Sequence, residues 1–368
     1  MAQKSNQPSQ TASAFHRPSH GGNLVWAASL ADCSPAAILD FSASINPLGP
    51  PASAIVAIQS HLADLSAYPD PSYQSLRAVL CQLHSVPPDW ILPGNGAAEL
   101  LTWACRDLAS LEQTCLLTPA FSDYRRALKA FNASILECPL EQREQLSSIA
   151  PSPVASSGLL LNNPHNPTGQ LLSKDAIRQW LETFALVVVD EAFMDFLPEE
   201  AQSVVEWVQD FPNLVVVRSL TKFYSLPGLR LGYAIAHPDR LRRWQQWRDP
   251  WAVNALAAAV GEVVVKDTQF QQQTWDWLAV AKAQLFAGLS QLPGLLPYAG
   301  AANFLLVRSQ RSVVELQTEL LKRHCILIRD CLSFPELGDR YFRVAVRTET
   351  ENQRLLEGLA EVLTDCAI

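Results

Sequence analysis

No run of apolar residues reaches the roughly 18 that a membrane-spanning helix needs. The opening stretch MAQKSNQPSQTASAFHRPSH lacks the apolar core of a secretory leader, so residues 1–19 are expected to be a flexible polar tail. Charge is sparse: 17% of residues are charged against 48% hydrophobic, and the balance is −8 with no basic stripe. Nucleic acid and anionic membrane are therefore excluded as main partners. A phosphate-bearing small molecule is not, because a few local cations and helix ends bind phosphate against an acidic background. Cysteine pairs at metal-ligand spacing are missing too. The eight cysteines (33, 81, 105, 115, 138, 325, 331 and 366) are scattered with no CxxC. Several lie in apolar runs and read as buried free thiols of a reducing cytoplasm. There is no internal repeat.

What the chain does have is apolar, β-branched runs alternating with helical patterns. TCLLTP (114–119), ASILECP (133–139), GLLLNNP (158–164), ALVVVDEA (185–192), LVVVRS (214–219) and LGYAIA (231–236) read as strands buried on both faces. AAELLTWACRDL (97–108), SKDAIRQWLETF (173–184) and AQSVVEWVQDF (201–211) read as amphipathic helices. This alternation implies an α/β fold with a mainly parallel sheet sandwiched by helices. Hinge-like stretches near 50 and 250 bound a large domain, 50–254. Beyond 255 a long helical segment, the strands NFLLVRS, CILIRDC and YFRVAVR, and a closing helix suggest a smaller α+β domain. Residues 20–49 are expected to pack with 255–368 in that domain.

In an open α/β sheet, ligands sit at the carboxyl ends of the strands, and four motifs fall there. In PGNGAAELL (93–101), Gly94 and Gly96 allow a tight turn, and the helix starting near Ala97 offers free N–H groups that suit a phosphate. Alone, this reads equally as a plain strand-to-helix turn. In NNPHNPTGQ (162–170), a rigid doubled Asn-Pro loop lets Asn166 present its amide to a ligand oxygen. In VVVDEAFMDF (187–196), Asp190 closes a buried strand, where a carboxylate needs a cationic partner. In SLTKFYSLPGLRLGYAIA (219–236), Lys222 follows a strand. A desolvated lysine has a lowered pKa and becomes nucleophilic toward carbonyls. Ser219 and Arg230 beside it are suitable phosphate ligands. A phosphate cradle, an amide, a buried acid and an amine, in that order, match a pyridoxal phosphate pocket.

The order PGNG, NPHNPTG, DEAF and SLTK…GLRLGY resembles the fold-type I pyridoxal phosphate enzymes, and most of all the histidinol-phosphate aminotransferase branch of the class I and II aminotransferases. The likeness covers nearly all of the chain after about residue 20. It implies that Lys222 is the Schiff-base lysine, that Asp190 pairs with the pyridinium nitrogen and that Asn166 bonds the cofactor's phenolic oxygen. It also implies that Ser219, Arg230 and the N–H groups of Ala97 and Ala98 hold the phosphate. Phe121 falls where the branch stacks an aromatic ring on the pyridine. Tyr68 falls where it sends a tyrosine to the neighbouring subunit's phosphate, which implies a homodimer. One position departs from the pattern: Phe193 stands where many aminotransferases carry a tyrosine, so one hydroxyl on the phenolic oxygen is lost.

HGGNLVWAASL (20–30) and ILDFSASINPLGPP (38–51) resemble the opening of the branch's decarboxylating members, the L-threonine O-3-phosphate decarboxylases of cobalamin biosynthesis. In the branch, the arginine matching Arg343 binds the substrate carboxylate as a bidentate fork, and the one matching Arg329 binds the distal phosphate. Asn46 and His20 are candidates for closing over the substrate. Arg347 shares the face of Arg343 by the period of two, but reads as a solvated charge. The resemblance thus implies a cytoplasmic lyase acting on a small phosphorylated amino acid. An aminotransferase for histidinol phosphate shares every cofactor residue and is the alternative. A non-catalytic sensor or scaffold would not need Lys222, Asp190, Asn166 and Arg230 together.

Overall fold

The computed structural model describes residues 17–145 and 156–364. Most of residues 1–19, expected to be a polar tail, and Cys366 lie outside the described residues. The other seven cysteines are free. Among the described residues, no helix is long and apolar enough to cross a membrane.

A two-residue strand, β1 (Leu39–Asp40), precedes the seven strands of the principal sheet. These are β2 (Ile91–Asn95), β3 (Gln113–Thr118), β4 (Ile135–Pro139), β5 (Ser157–Asn162), β6 (Leu186–Asp190), β7 (Leu214–Ser219) and β8 (Leu231–Ala236), in the order β2-β8-β7-β6-β5-β3-β4. The run β7-β6-β5-β3-β4 is parallel, while β8 is antiparallel to both of its neighbours. β8 follows β7 through the Lys222 loop rather than through a crossover helix, so it can only return antiparallel. The fold is α/β with a mainly parallel sheet, as expected. β5, β6, β7 and β8 are buried along their whole length. That is the condition of strands covered by helices on both faces, and it explains their continuous Val/Leu composition.

Two expectations are corrected. β4 is only partly buried, because it is the edge strand and pairs on one side alone. Residues 201–211 form no α-helix; they contain a single 3₁₀ turn, Val205–Trp207. Their apolar positions are buried as the periodicity suggests, Val204, Val205 and Val208 among them. The backbone, however, is tied to a buried carboxylate: Glu191 accepts from the N–H of Val204 (2.9 Å) and from the hydroxyl of Ser203 (2.8 Å). An external acceptor for these groups competes with helical bonding. Glu191 belongs to a cluster in which buried Glu191 and the partly exposed Asp195 and Glu200 surround the fully buried Arg218. Burial, with too little positive charge nearby, raises Glu191 and Asp195 to about 7.

The chain then forms the helix Thr268–Gln291 and five more strands: β9 (Leu295–Pro297), β10 (Phe304–Ser309), β11 (Ile326–Leu327), β12 (Arg329–Asp330) and β13 (Tyr341–Ala345). Four of them make an antiparallel sheet in the order β12-β13-β10-β9. β1 pairs in parallel with β11, and Ala345 N–H donates to Phe41 O (2.9 Å). The N-terminal segment therefore packs into the C-terminal part of the chain. The two sheets meet at a cavity of about 350 Å³.

Candidate active site

The cavity lies at the carboxyl ends of β5, β6 and β7, where Asn162, Asp190 and Lys222 line it. Lys222 stands three residues past the end of β7, in a loop stitched from both sides. Its carbonyl accepts from Asn46 N–H (3.0 Å), and Leu226 N–H donates to Thr221 O (2.9 Å). The ammonium sits 4.7 Å from the centre of the Phe193 ring. Burial lowers the amine's pKa; Asp190 pulls it back up, and Arg343 and Arg230 push it further down. That is the electrostatic setting of a nucleophilic amine.

Asp190 is the last residue of β6 and is buried. Burial raises its pKa, against Lys222 and two hydrogen bonds that favour the charged form. Those bonds come from Ala192 N–H to Oδ1 (2.9 Å) and from the Tyr124 hydroxyl to Oδ2 (2.5 Å). Tyr124 is a site residue that reading the sequence missed. The available signal was its place three residues after Phe121 at the start of the helix Ser122–Ala130, which puts both rings on one face. The rings meet edge-on, with centroids 5.6 Å apart.

The loop carrying Asn166 is braced as its composition suggests. Asn163 bonds Leu172 in both directions, accepting at 2.8 Å and donating at 3.1 Å. Gly169 sits at φ +74°, and an added Cβ there would lie 2.8 Å from Gly300 Cα. The loop thus abuts the segment before β10, and Ala301 N–H donates to Gly169 O (2.7 Å). Arg343, from β13, reaches across to donate to Asn166 Oδ1 and to Ser42 O, the latter at 3.1 Å. Its Nε is buried without a hydrogen-bond partner. Among the described residues, no carboxylate forms an ion pair with Arg343. Burial, then the nearby Arg329, lowers its pKa to about 10. Two buried arginines side by side, one of them without a counter-ion among the described residues, suit an anionic ligand. Arg329 donates to Ser19 O and to Ser333 Oγ (2.6 Å) and lines the same cavity.

Ser219, Arg230 and the start of the helix Ala97–Ala109 come together around β8. Ser219 is the register partner of Gly232, and a Cβ on Gly232 would lie 2.6 Å from Ala97 N. Gly96, at φ +74°, passes so close to Arg230 that a Cβ there would lie 2.5 Å from Nη2. Gly96 provides no side-chain cap for the helix. Its first N–H groups, at Ala97 and Ala98, therefore remain available to an anion. Phe121 and His20 line the cavity, with ring centroids 5.5 Å apart. Phe193 packs edge-on against Phe304, centroids 5.0 Å apart, and presents a ring where a hydroxyl would otherwise stand.

One expected residue is placed elsewhere. Asn46 is buried behind the cavity wall. Its amide donates to Phe223 O (2.9 Å) and Thr274 Oγ1 (2.8 Å), so it supports the Lys222 loop instead of covering a substrate. Tyr68 is 78% exposed, stacks on Trp251 at 4.4 Å and does not line the cavity. Arg347 pairs with Glu351 (2.8 Å) outside the cavity.

Pyridoxal phosphate fits this arrangement. There is an amine of lowered pKa to bind its aldehyde and a buried carboxylate for its ring nitrogen. There is an uncapped helix start, with Ser219 and Arg230, for its phosphate. Arg343 and Arg329 line the same cavity as two further buried cations.

Residues 36–359 match the family described as aminotransferase class I and II. The chain is 41% identical to threonine-phosphate decarboxylase of Salmonella typhimurium, over 96% of this chain and 99% of that one. It is 34% identical to histidinol-phosphate aminotransferase of Symbiobacterium thermophilum, over 86% of this chain and 88% of the other. Among solved structures, L-threonine-O-3-phosphate decarboxylase from Porphyromonas gingivalis superposes with a TM-score of 0.78 at 26% identity, covering 88% of this chain and 98% of that one.

Proposed function

The chain belongs to the class I and II aminotransferase family, and from that premise we propose that it is a pyridoxal phosphate-dependent decarboxylase of L-threonine O-3-phosphate. The products are CO2 and 1-amino-2-propanol phosphate, a building block for cobalamin biosynthesis. The observation that carries this reading is the pair of buried arginines, Arg343 and Arg329, that line the same cavity as Lys222 and Arg230. They match a substrate with a carboxylate at one end and a phosphate at the other. The likeness to threonine-phosphate decarboxylase along almost the whole chain favours this substrate over histidinol phosphate. Aminotransfer from histidinol phosphate is the second reading, because it uses the same cofactor residues.

Bound pyridoxal phosphate supplies an electron sink for bonds at the substrate's α-carbon. Asp190 holds a proton at the cofactor's ring nitrogen, and Tyr124 fixes the carboxylate in place. Of the cavity residues Asn166 and Phe193, only Asn166 could donate a hydrogen bond to the cofactor's phenolic oxygen. Arg343 orients the α-carboxylate as a fork, and Arg329 holds the phosphate. The bond from the α-carbon to the carboxylate breaks, CO2 departs without the bonding pair, which stays with the α-carbon and its sink, and Lys222 supplies the new proton that the α-carbon takes up. Phe121 and Phe334 exclude water from the cavity. The test is release of CO2 from L-threonine O-3-phosphate by the cofactor-loaded protein, with no keto-acid acceptor present.

The same reading makes residues 50–254 a cofactor-binding domain and 20–49 with 255–368 a smaller substrate-binding one. The enzyme is a cytoplasmic homodimer in which exposed Tyr68 reaches the partner's cofactor phosphate. Losing one hydrogen bond to a charged group costs about 1.5–3 kcal/mol. Tyr68→Phe is therefore expected to weaken cofactor affinity at least roughly tenfold while leaving the dimer intact by size-exclusion chromatography. Unchanged affinity in a cofactor titration counts against the shared site.

A further inference from the structure

Residues 17–22 form a strap tied at several points, and two of them, His20 and Gly21, line the cavity. At one end Arg17 pairs with Asp330 (3.0 Å), and in the middle Ser19 O accepts from Arg329. At the other end Gly22 N–H donates to Ser42 Oγ (2.8 Å). Ser42 is buried, and its orientation is set by Asp40. Asp40 Oδ1 accepts both the Ser42 N–H (2.7 Å) and the Ser42 hydroxyl (2.6 Å). The Ser42 carbonyl faces the other way and accepts from Arg343 Nη2 (3.1 Å). That carbonyl also forms the surface on which the strap lies: a Cβ on Gly21 would sit 2.3 Å from it. Asp40 is fixed in turn, since its own carbonyl accepts from Arg347 (3.2 Å) and β1 is paired to β11.

Ser42 therefore touches both the strap that carries His20 and the arginine that faces the substrate carboxylate. We propose that Ser42, braced by Asp40, is a positioning residue for substrate binding, holding the His20–Gly22 strap and the Arg343 guanidinium in one register at the cavity. None of its hydrogen bonds reaches Ser219, Arg230 or the start of the Ala97–Ala109 helix, so it has no part in holding the cofactor phosphate. The proposal rests on the decarboxylase reading only for its substrate readout.

Two measurements on the holoenzyme test it. In the first, amide hydrogen exchange of the strap is followed without any substrate. Ser42→Ala should speed exchange in residues 20–24 by tenfold or more, and Ser42→Thr, which keeps the hydroxyl, should restore protection. Unchanged protection in Ser42→Ala overturns the clamp whatever the substrate is. In the second, kinetics with L-threonine O-3-phosphate should show KM raised at least tenfold in Ser42→Ala and in Gly21→Ala. kcat should stay within threefold and the visible absorbance of the bound cofactor should be unaltered. A fall in kcat at constant KM, or loss of cofactor absorbance, overturns the positioning role. Wild-type protein inert toward this substrate would instead overturn the decarboxylase reading, and the exchange result would still decide the clamp.

Discussion

Lys222→Ala is expected to lose the visible absorbance of the covalently held cofactor and to reduce turnover by at least about 10²–10⁴-fold, the span typical of removing a positioned proton-transfer group. The lysine has no substitute in the cavity. Lys282 is the other described lysine whose amine pKa is lowered by burial, but its Nζ donates to Ala301 O at 3.1 Å. It does not line the cavity. The Lys222 backbone is held by Asn46 and by its own loop, not by its side chain. The alanine variant should therefore fold, and an absorbance measurement on it is interpretable. Survival of both absorbance and turnover would remove Lys222 from the site.

Asp190→Asn is expected to lower kcat by about 10²–10⁴-fold, again as the loss of a held proton. Cofactor affinity should change far less, because the phosphate cradle is untouched. The substitution keeps the shape of the side chain and one acceptor oxygen, which can stay on the Ala192 N–H, while the new amide N–H faces the Tyr124 hydroxyl, which can turn to accept from it, so structural damage is small. It also has a second signature. Asp190, more than Asp195, raises the Lys222 amine against burial, Arg343 and Arg230. Without its charge the amine must titrate lower still, so a pH titration of the cofactor absorbance should shift to lower pH. An unshifted titration with normal kcat would contradict the pairing of Asp190 with the cofactor ring.

The four cofactor motifs were legible in the sequence for a geometric reason. A parallel sheet brings the carboxyl ends of β5, β6 and β7 to one edge, so three of the motifs converge without any knowledge of the long-range fold, and the fourth follows β2, which points the same way as β7 because both are antiparallel to β8. Where position depended on contacts between distant segments, the reading failed. Asn46 sits in a motif that resembles a substrate-facing one. Yet its amide is consumed by Phe223 and Thr274, from parts of the chain 177 and 228 residues away. Tyr124 was passed over because its partner lies 66 residues on. The stretch 201–211 has helical periodicity, and a buried carboxylate from another segment claims its backbone. The role of Ser42 is equally invisible in sequence, since it depends on Gly22 and Arg343 meeting one residue from opposite directions.

The most direct test is to incubate the cofactor-loaded protein with L-threonine O-3-phosphate alone and measure CO2. Catalytic release, with 1-amino-2-propanol phosphate formed in equal amount and no acceptor required, is the expected result. Absence of CO2, together with amine transfer from histidinol phosphate to 2-oxoglutarate, would contradict the account and make the chain an aminotransferase.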